Sequence, residues 1–369
     1  MIIGVPKEIK NKENRVGMVI AGVKTLTRNG HEVLIQSSAG MGAGISDEDY
    51  VNAGAKIIDS AEEVYSTSEM IVKVKEPLPE EYQLLREDQI LYTYLHLAAD
   101  ERLTKALMER KIIGIAYETI QSEEGAHLPL LAPMSAVAGR MATQIGATLL
   151  QSDHGGKGVL LGGVTGTERA NVVVLGGGVV GVNAAKMAVG LGANVTILDV
   201  NVPRMDYLSD IFKNDVSTLY SNPEHVEKSV ETADLVIGAV LVPGAKAPKL
   251  VTREMIARMP KGGVVIDVAV DQGGSVETCR PTSHEHPTYT VDGVIHYAVP
   301  NMPGAVPRTS TYALTNVTLK YAVKIANLGW EEACRRDQAL MRGVNIARGN
   351  LVYKQVADDL NIPYTPLKL

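Results

Sequence analysis

The hexapeptide Gly176-Gly177-Gly178-Val179-Val180-Gly181 puts glycine in all three slots of GxGxxG, the pattern whose backbone N–H groups cradle a diphosphate at a helix start. With 35 glycines in 369 residues, chance alone supplies about 0.3 such matches, so the context must carry the argument. Val172-Val173-Val174-Leu175 reads as a buried strand leading in and an alanine-rich helix leads out. Asp199 closes the next apolar run, 23 residues after Gly176. Gly176 permits the tight turn, Gly178 lets backbone approach a pyrophosphate, and Gly181 lets the helix pack on the strand. A carboxylate at Asp199 accepts hydrogen bonds from ribose hydroxyls and repels a 2′-phosphate, which favours NAD over NADP, while nearby Arg204 weakens that preference. The remaining alternative is a glycine-rich turn with no ligand. Gly40-Met41-Gly42-Ala43-Gly44 lacks the spacing and reads as an ordinary turn.

A dinucleotide motif does not name a substrate, so polar residues at other strand ends have to be weighed singly. Arg15, in the polar loop after the first apolar run, could take a carboxylate with its guanidinium fork; from loop position alone a solvated charge is the better account. Lys75 closes Met70-Ile71-Val72-Lys73-Val74, where an ammonium can meet a ligand oxygen or simply face water. His96 closes Ile90-Leu91-Tyr92-Thr93-Tyr94-Leu95. An imidazole there suits proton transfer, and its strand-end position sets it against the plainer reading of a hydrogen-bonded core histidine. Asp271 lies in Val268-Ala269-Val270-Asp271-Gln272-Gly273-Gly274, as a proton-handling carboxylate or as ordinary turn chemistry before Gly-Gly. HExxH, GxSxG and GxxxxGK[ST] patterns are absent, and Cys279 and Cys334 have no CxxC spacing. Metal hydrolysis, hydrolase-type acyl transfer, P-loop phosphoryl transfer and a disulfide framework therefore find no support, and no metal is expected.

The elements that must hold these residues are two alternating strand–helix series. Apolar runs at 2–5, 33–36, 70–74, 90–95 and 112–116 predict strands, with helices between them at 21–28 and after the Ser60-Ala61-Glu62-Glu63 capping box. A break at Leu128-Pro129-Leu130-Leu131-Ala132-Pro133 precedes a long helix to about Gln151, with Ser135 as its N-cap. A glycine-rich loop at 155–166 leads to a second series with strands at 172–175, 195–199, 235–240 and 264–268. After Pro307 only helices are expected, at 310–328, 331–340 and 350–360, returning to the first series. The length calls for two cores. A net charge of -6 offers no basic surface for nucleic acid, and no apolar run of about 18 residues could span a membrane. Met1-Ile2-Ile3-Gly4-Val5-Pro6-Lys7 lacks the parts of a signal peptide, so a cytoplasmic start is expected.

Taken together, several segments resemble the alanine dehydrogenase family. They are Val5-Pro6-Lys7-Glu8 through Arg15-Val16, Lys73-Val74-Lys75-Glu76-Pro77, Tyr94-Leu95-His96-Leu97-Ala98-Ala99 and Leu131-Ala132-Pro133-Met134-Ser135. The likeness continues through Ala233-Asp234-Leu235-Val236-Ile237-Gly238-Ala239-Val240, Asp271-Gln272-Gly273-Gly274, Asn301-Met302-Pro303 and Thr309-Ser310-Thr311-Tyr312-Ala313-Leu314-Thr315-Asn316. It spans nearly all of the chain up to Gly349.

The resemblance implies an α/β chain of two doubly wound Rossmann-like domains, separated by a cleft and linked by long helices. Residues 1–128 with 308–369 would form a discontinuous substrate domain and 129–307 the NAD domain. Arg15 and Lys75 would bind substrate, and His96 and Asp271 would be the acid/base residues. Around NAD it sets Gly176, Gly178, Gly181, Asp199, Ser135, Arg204, Ser221, Val240, Leu241, Arg280, the run Val268, Ala269, Val270 and Asp271, and the turn Val299, Pro300, Asn301 and Met302. The implied activity is reversible oxidative deamination of L-alanine to pyruvate and ammonia by a homohexamer whose domains close over the site. The alternative is the nucleotide-binding component of a proton-translocating transhydrogenase. A third reading is a non-catalytic NAD sensor.

Overall fold

Short β-branched and aliphatic runs, too brief for helices and buried on both faces, become the parallel strands of two separate sheets. The computed structural model describes residues 1–122, 128–240, 247–270 and 273–369. The chain divides into two units, Met1–Met134 with Gly304–Leu369, and Ser135–Pro303.

In the first unit β1 (Ile2–Val5) pairs in parallel with β2 (Glu32–Gln36) on one side and with β4 (Met70–Val72) on the other. Beyond β2 lies β3 (Lys56–Ile58), and beyond β4 lie β5 (Ile90–Thr93) and β6 (Ile113–Ala116). The winding runs outward from β1 through β2 and β3, then restarts on the other side with β4. At such a reversal the loops leaving the carboxyl ends of β1 and β4 diverge and leave a crevice for a ligand.

The second unit repeats this winding. β7 (Asn171–Leu175) lies between β8 (Asn194–Asp199) and β10 (Leu235–Gly238); β9 (Val216–Tyr220) extends one side and β11 (Val264–Asp267) the other. An antiparallel pair, β12 (Thr288–Val291) with β13 (Val294–Tyr297), completes that edge, β13 running parallel to β11. β3, β9, β12 and β13 also escaped the sequence reading: the first three are edge strands that alternate or carry polar residues, as in Val216-Ser217-Thr218-Leu219-Tyr220, and β13 is a four-residue run, Val294-Ile295-His296-Tyr297, interrupted by a histidine.

Two sequence expectations are corrected. The helix after the proline-rich break runs Ala132–Leu149, so Ser135 lies inside its first turn rather than at the cap. Pro133 is tolerated there because a first-turn residue needs no N–H partner. The tail is also not purely helical: β14 (Val344–Ala347) and β15 (Asn350–Leu351) form a hairpin, and β14 adds antiparallel to β6. Its two-residue turn has Arg348 and Gly349 both at positive φ, 48° and 85°, the geometry usually signalled by Asn-Gly. The last helices are Trp330–Arg336, Gln338–Gly343, whose N-cap Asp337 accepts from Leu340 N–H, and Lys354–Leu360. Among the described residues no helix is long and apolar enough to cross a membrane.

The returning segment completes the first unit's core. Ile346, Leu351 and Val356 pack with Val64, Ile71, Leu91, Leu95 and Leu107 in one buried cluster. The helix Pro307–Leu328 covers the sheet near its ligand edge, where Tyr92 donates its hydroxyl to the Thr318 carbonyl at 3.0 Å. Because Ile346 is fully buried, Ile346→Ala should cost about 2–5 kcal/mol of stability. Denaturant unfolding of the variant measures this, and a loss below about 0.5 kcal/mol would contradict the packing of the tail into that core.

Candidate active site

Residues 6–19 leave β1 and residues 73–78 leave β4, so both segments start at the switch point of the first sheet. The first is drawn onto β4 because Gly17 has no side chain: a Cβ there would stand 2.7 Å from the Val72 carbonyl oxygen. Val16 donates its N–H to Thr311 Oγ1 at 3.2 Å, fixing the same turn to the helix Pro307–Leu328. Arg15 is thereby carried inward and is only 2% exposed, which removes the solvated-charge reading. A buried guanidinium needs a counter-charge, and Glu13 supplies it side-on, with Nε donating to Oε1 at 2.6 Å and Nη2 to Oε2 at 2.5 Å. Burial alone would lower the Arg15 pKa; Glu13 outweighs it and holds the group above its ordinary value. Nη1 lies 3.2 Å from the Met134 sulfur.

The β4 end is held by a second charge group. Lys73 is fully buried, its ammonium 2.7 Å from Glu81 Oε1 and 3.4 Å from Glu8 Oε2. Glu8 Oε1 accepts from the N–H groups of Val74 at 2.6 Å and Lys75 at 3.3 Å, so a carboxylate from the β1 segment fixes the backbone beneath Lys75. Tyr65 donates to Glu81 at 2.8 Å and Tyr117 to the Lys73 carbonyl at 3.0 Å. Lys75 itself stands 3.9 Å from Glu76 Oε2, and Glu76 also pairs with Lys10. Burial lowers the Lys75 pKa, repulsion by Lys10 and Arg15 adds to that, and Glu76 opposes it. Arg15 acts on Lys75 and His96 on Glu76, so all three chosen heads share one electrostatic neighbourhood of this unit.

His96 follows β5 in the left-handed region, at φ 49° and ψ 38°. Its imidazole is 42% exposed and stacks on Tyr94, with planes 6° apart and centroids 5.7 Å apart. Tyr94 is held by a hydroxyl bond to the Leu130 carbonyl at 2.6 Å and by an edge contact with Tyr117. Glu118, just past β6, accepts from His96 N–H at 2.6 Å and from Leu95 N–H at 3.1 Å.

In the second unit, residues that the sequence reading assigned to the cofactor follow the carboxyl ends of several strands. Gly176 has φ 98°, and a Cβ there would reach to 2.9 Å from the Ala239 carbonyl oxygen and 3.2 Å from Val240, beyond β10. A Cβ on Gly181 would stand 1.9 Å from the Gly176 carbonyl oxygen, whereas one on Gly178 would meet nothing within 4 Å. The loop is thus closed beneath and open above, and no side chain caps the helix Val179–Gly190 that it starts. This arrangement fits a diphosphate bound by backbone N–H groups. Asp199 Oδ2 accepts from Gly177 N–H at 2.6 Å and Oδ1 from Asn201 N–H at 2.8 Å, leaving lone pairs for ribose hydroxyls. Arg204 donates from Nε to the Gly177 carbonyl at 2.7 Å and lies over the Tyr207 ring. Ser221 donates its N–H to the Asp199 carbonyl at 2.9 Å.

Val268, Ala269 and Val270 follow β11, with Val268 N–H bonded to the Gly238 carbonyl. Arg280 lies over the Tyr289 ring at 4.4 Å. The turn Val299, Pro300, Asn301 and Met302 follows β13; Asn301 is left-handed at φ 61° and Met302 is buried. Asp271 and Leu241 lie outside the described residues.

Sequence reasoning missed the acidic residues behind the site. Glu8, Glu13, Glu81 and Glu118 look like surface glutamates in a polar loop or helix, and only the fold reveals what each faces. Asp267 offered a signal, an aspartate ending the buried run Val264-Val265-Ile266. Its carboxylate accepts from the N–H groups of Ser275 and Val276 at 2.8 and 3.0 Å, and burial raises its pKa against those bonds.

Comparison with known proteins adds the following. The family description "Alanine dehydrogenase/PNT, N-terminal domain" matches residues 4–138, and the C-terminal domain of the same family matches residues 142–354. The chain is 59% identical over 367 residues to an alanine dehydrogenase of Methanococcus maripaludis, covering 99% of this chain and 98% of that one. It superposes on a solved L-alanine dehydrogenase with a TM-score of 0.95 at 55% identity, covering 98% and 99% of the two chains. A transhydrogenase from Sinorhizobium meliloti shares the fold, with a TM-score of 0.81 at 23% identity over 96% of this chain and 99% of that one.

The charge arrangement at Lys75 is open to a direct check. Followed by NMR on an isotope-labelled side chain, Lys75 should titrate below the ordinary lysine value of 10.5, and lower still in Glu76→Gln, which removes the opposing carboxylate. An unmoved or raised titration in that variant would show that Glu76 does not act on Lys75.

Proposed function

The chain belongs to the alanine dehydrogenase/PNT family, and from that premise we propose that it carries out the reversible, NAD-dependent oxidative deamination of L-alanine to pyruvate and ammonia. It is an amino-acid dehydrogenase that works with a nicotinamide cofactor. The observation that carries the substrate side is the buried, Glu13-paired Arg15 beside Lys75 at the switch point of the first sheet. Asp199 and the open glycine loop support NAD on the second unit. A cytoplasmic homohexamer completes the proposal, supported by the family resemblance.

The bound nicotinamide supplies a hydride acceptor for the Cα hydrogen. Arg15 binds the alanine carboxylate, which fixes the orientation of Cα. Lys75, whose charged form Glu76 favours against burial, donates from Nζ to the oxygen that becomes the pyruvate carbonyl. His96 takes the proton of the attacking water on a ring nitrogen and returns it as ammonia leaves. Asp271 positions the amine.

Oxidation of NADH that requires both pyruvate and ammonium is the deciding assay. Hydride exchange between nucleotides with no keto acid would favour the transhydrogenase reading, and NAD binding without any turnover would favour a sensor. In the same assay His96→Ala should lose roughly 10²- to 10⁴-fold in kcat, and an undiminished rate would remove His96 from the chemistry. Arg15→Lys should raise KM for pyruvate, because one ammonium cannot both pair with Glu13 and present a fork; an unchanged KM would remove Arg15 from carboxylate binding.

A further inference from the structure

His96 is not only at a strand end; its backbone is in a conformation that side chains other than glycine seldom adopt, and something must hold it there. The backbone that leads into it has a visible anchor. Glu118 reaches across from the neighbouring strand end and accepts both successive N–H groups of the turn, from His96 at 2.6 Å and from Leu95 at 3.1 Å. Two adjacent amides converging on one carboxylate form a concave anion seat, which the extended continuation of β5 could not form because successive N–H groups would point to opposite sides. The same Oε1 lies 3.8 Å from His96 Nδ1, so the carboxylate also faces one edge of the imidazole, while Tyr94 supports its ring face.

We propose that Glu118 is the positioning residue for His96: by accepting the two turn amides it fixes the peptide planes that lead into His96, and with its carboxylate facing the imidazole edge it aims the ring. This role rests on the acid/base reading of His96. Glu118 acts through reach rather than through charge alone, since the bonds it makes are to backbone N–H groups. Neither Arg15 nor Lys75 is bonded to it, so substrate capture does not depend on it.

Three substitutions in the full-length enzyme separate these ideas. Glu118→Gln keeps an acceptor oxygen at the same reach without the charge, Glu118→Asp keeps the charge but draws it back by one methylene, and Glu118→Ala removes both. A reacting group misplaced by about 1 Å loses on the order of 10²-fold in rate. The Asp and Ala variants should therefore fall by about that factor in kcat, with KM for pyruvate within about twofold of the parent, while Gln should stay within about fivefold of the parent rate. Quenching of NADH fluorescence reports whether each variant still folds and binds cofactor. If Ala does not fold, the contrast between Gln and Asp still decides. An Asp variant as active as Gln or better, or one in which KM rises along with the fall in kcat, overturns the positioning role. A His96→Ala enzyme with full activity overturns the acid/base reading itself, a result distinguishable because no Glu118 variant can produce it.

Discussion

Burying positive side chains beneath a ligand-facing sheet edge is the demand on which the first unit is organised. An isolated ion moved out of water costs several kcal/mol even after the protein relaxes. Arg15 and Lys73 are both buried, and each is met by carboxylates that are themselves buried: Glu13 for the first, Glu8 and Glu81 for the second. Burial pushes the Glu8 pKa up, while the Lys73 ammonium and the Val74 N–H pull against it. The arrangement gives rigidity more than net stability. A carboxylate that must satisfy an ammonium and two backbone amides together has one place to stand, so the β1 segment cannot shift without moving the β4 segment.

The two units use the same winding for opposite tasks. On the second sheet the switch point is lined by glycines, beside the uncapped start of the helix Val179–Gly190 and the Asp199 carboxylate, and on the proposed reading recognition falls to backbone N–H groups and that one carboxylate. The lack of a side chain at Gly181 lets the helix start close on the Gly176 carbonyl, where a Cβ would stand at 1.9 Å, and the space at Gly178 stays open. The first sheet carries a guanidinium, an ammonium and an imidazole at the corresponding strand ends. For a small substrate, direction matters more than access, because a few donors must fix every atom. Topology thus supplies the place, and residue size at the strand ends sets what can be held.

Much of the frame was legible because buried parallel strands announce themselves as unbroken apolar runs, and because a glycine loop has few structural uses once strand, helix and Asp199 take their expected stations. The positions of Lys75 and His96 just past strands, and of Arg15 in the loop that follows the first, were also readable. What stayed hidden depends on which neighbour a side chain meets. Glu13 is two residues from Arg15 and gave no sign of taking the side-on fork; Lys73, two residues before Lys75, looked like part of a strand yet is the more buried of the two. The turn at His96 has no residue signature, since the carboxylate that anchors its amides, Glu118, comes from beyond the next strand. β14 escaped because four residues between helices carry no period long enough to read, and its pairing partner β6 lies more than two hundred residues away.

Charge balance then bears on what this edge can accept. Glu8, Glu13 and Glu81 oppose Arg15, Lys73 and Lys75, and the Lys10–Glu76 pair adds nothing to the sum, so these groups together are close to neutral. Attraction by net field is therefore weak, and binding must come from donors aimed at particular atoms. On the proposed reading the ligands are well matched to such a setting. An amino-acid zwitterion brings no net charge, and a keto acid with an ammonium ion brings none either, so the charge left to clear is the one proton that the oxidation releases, which on this reading leaves by way of the half-exposed His96. A dicarboxylate would add an uncompensated charge to a region where screening by water is poor. The acidic residues invisible to the sequence reading would in this way favour small monocarboxylates while holding the cations in place.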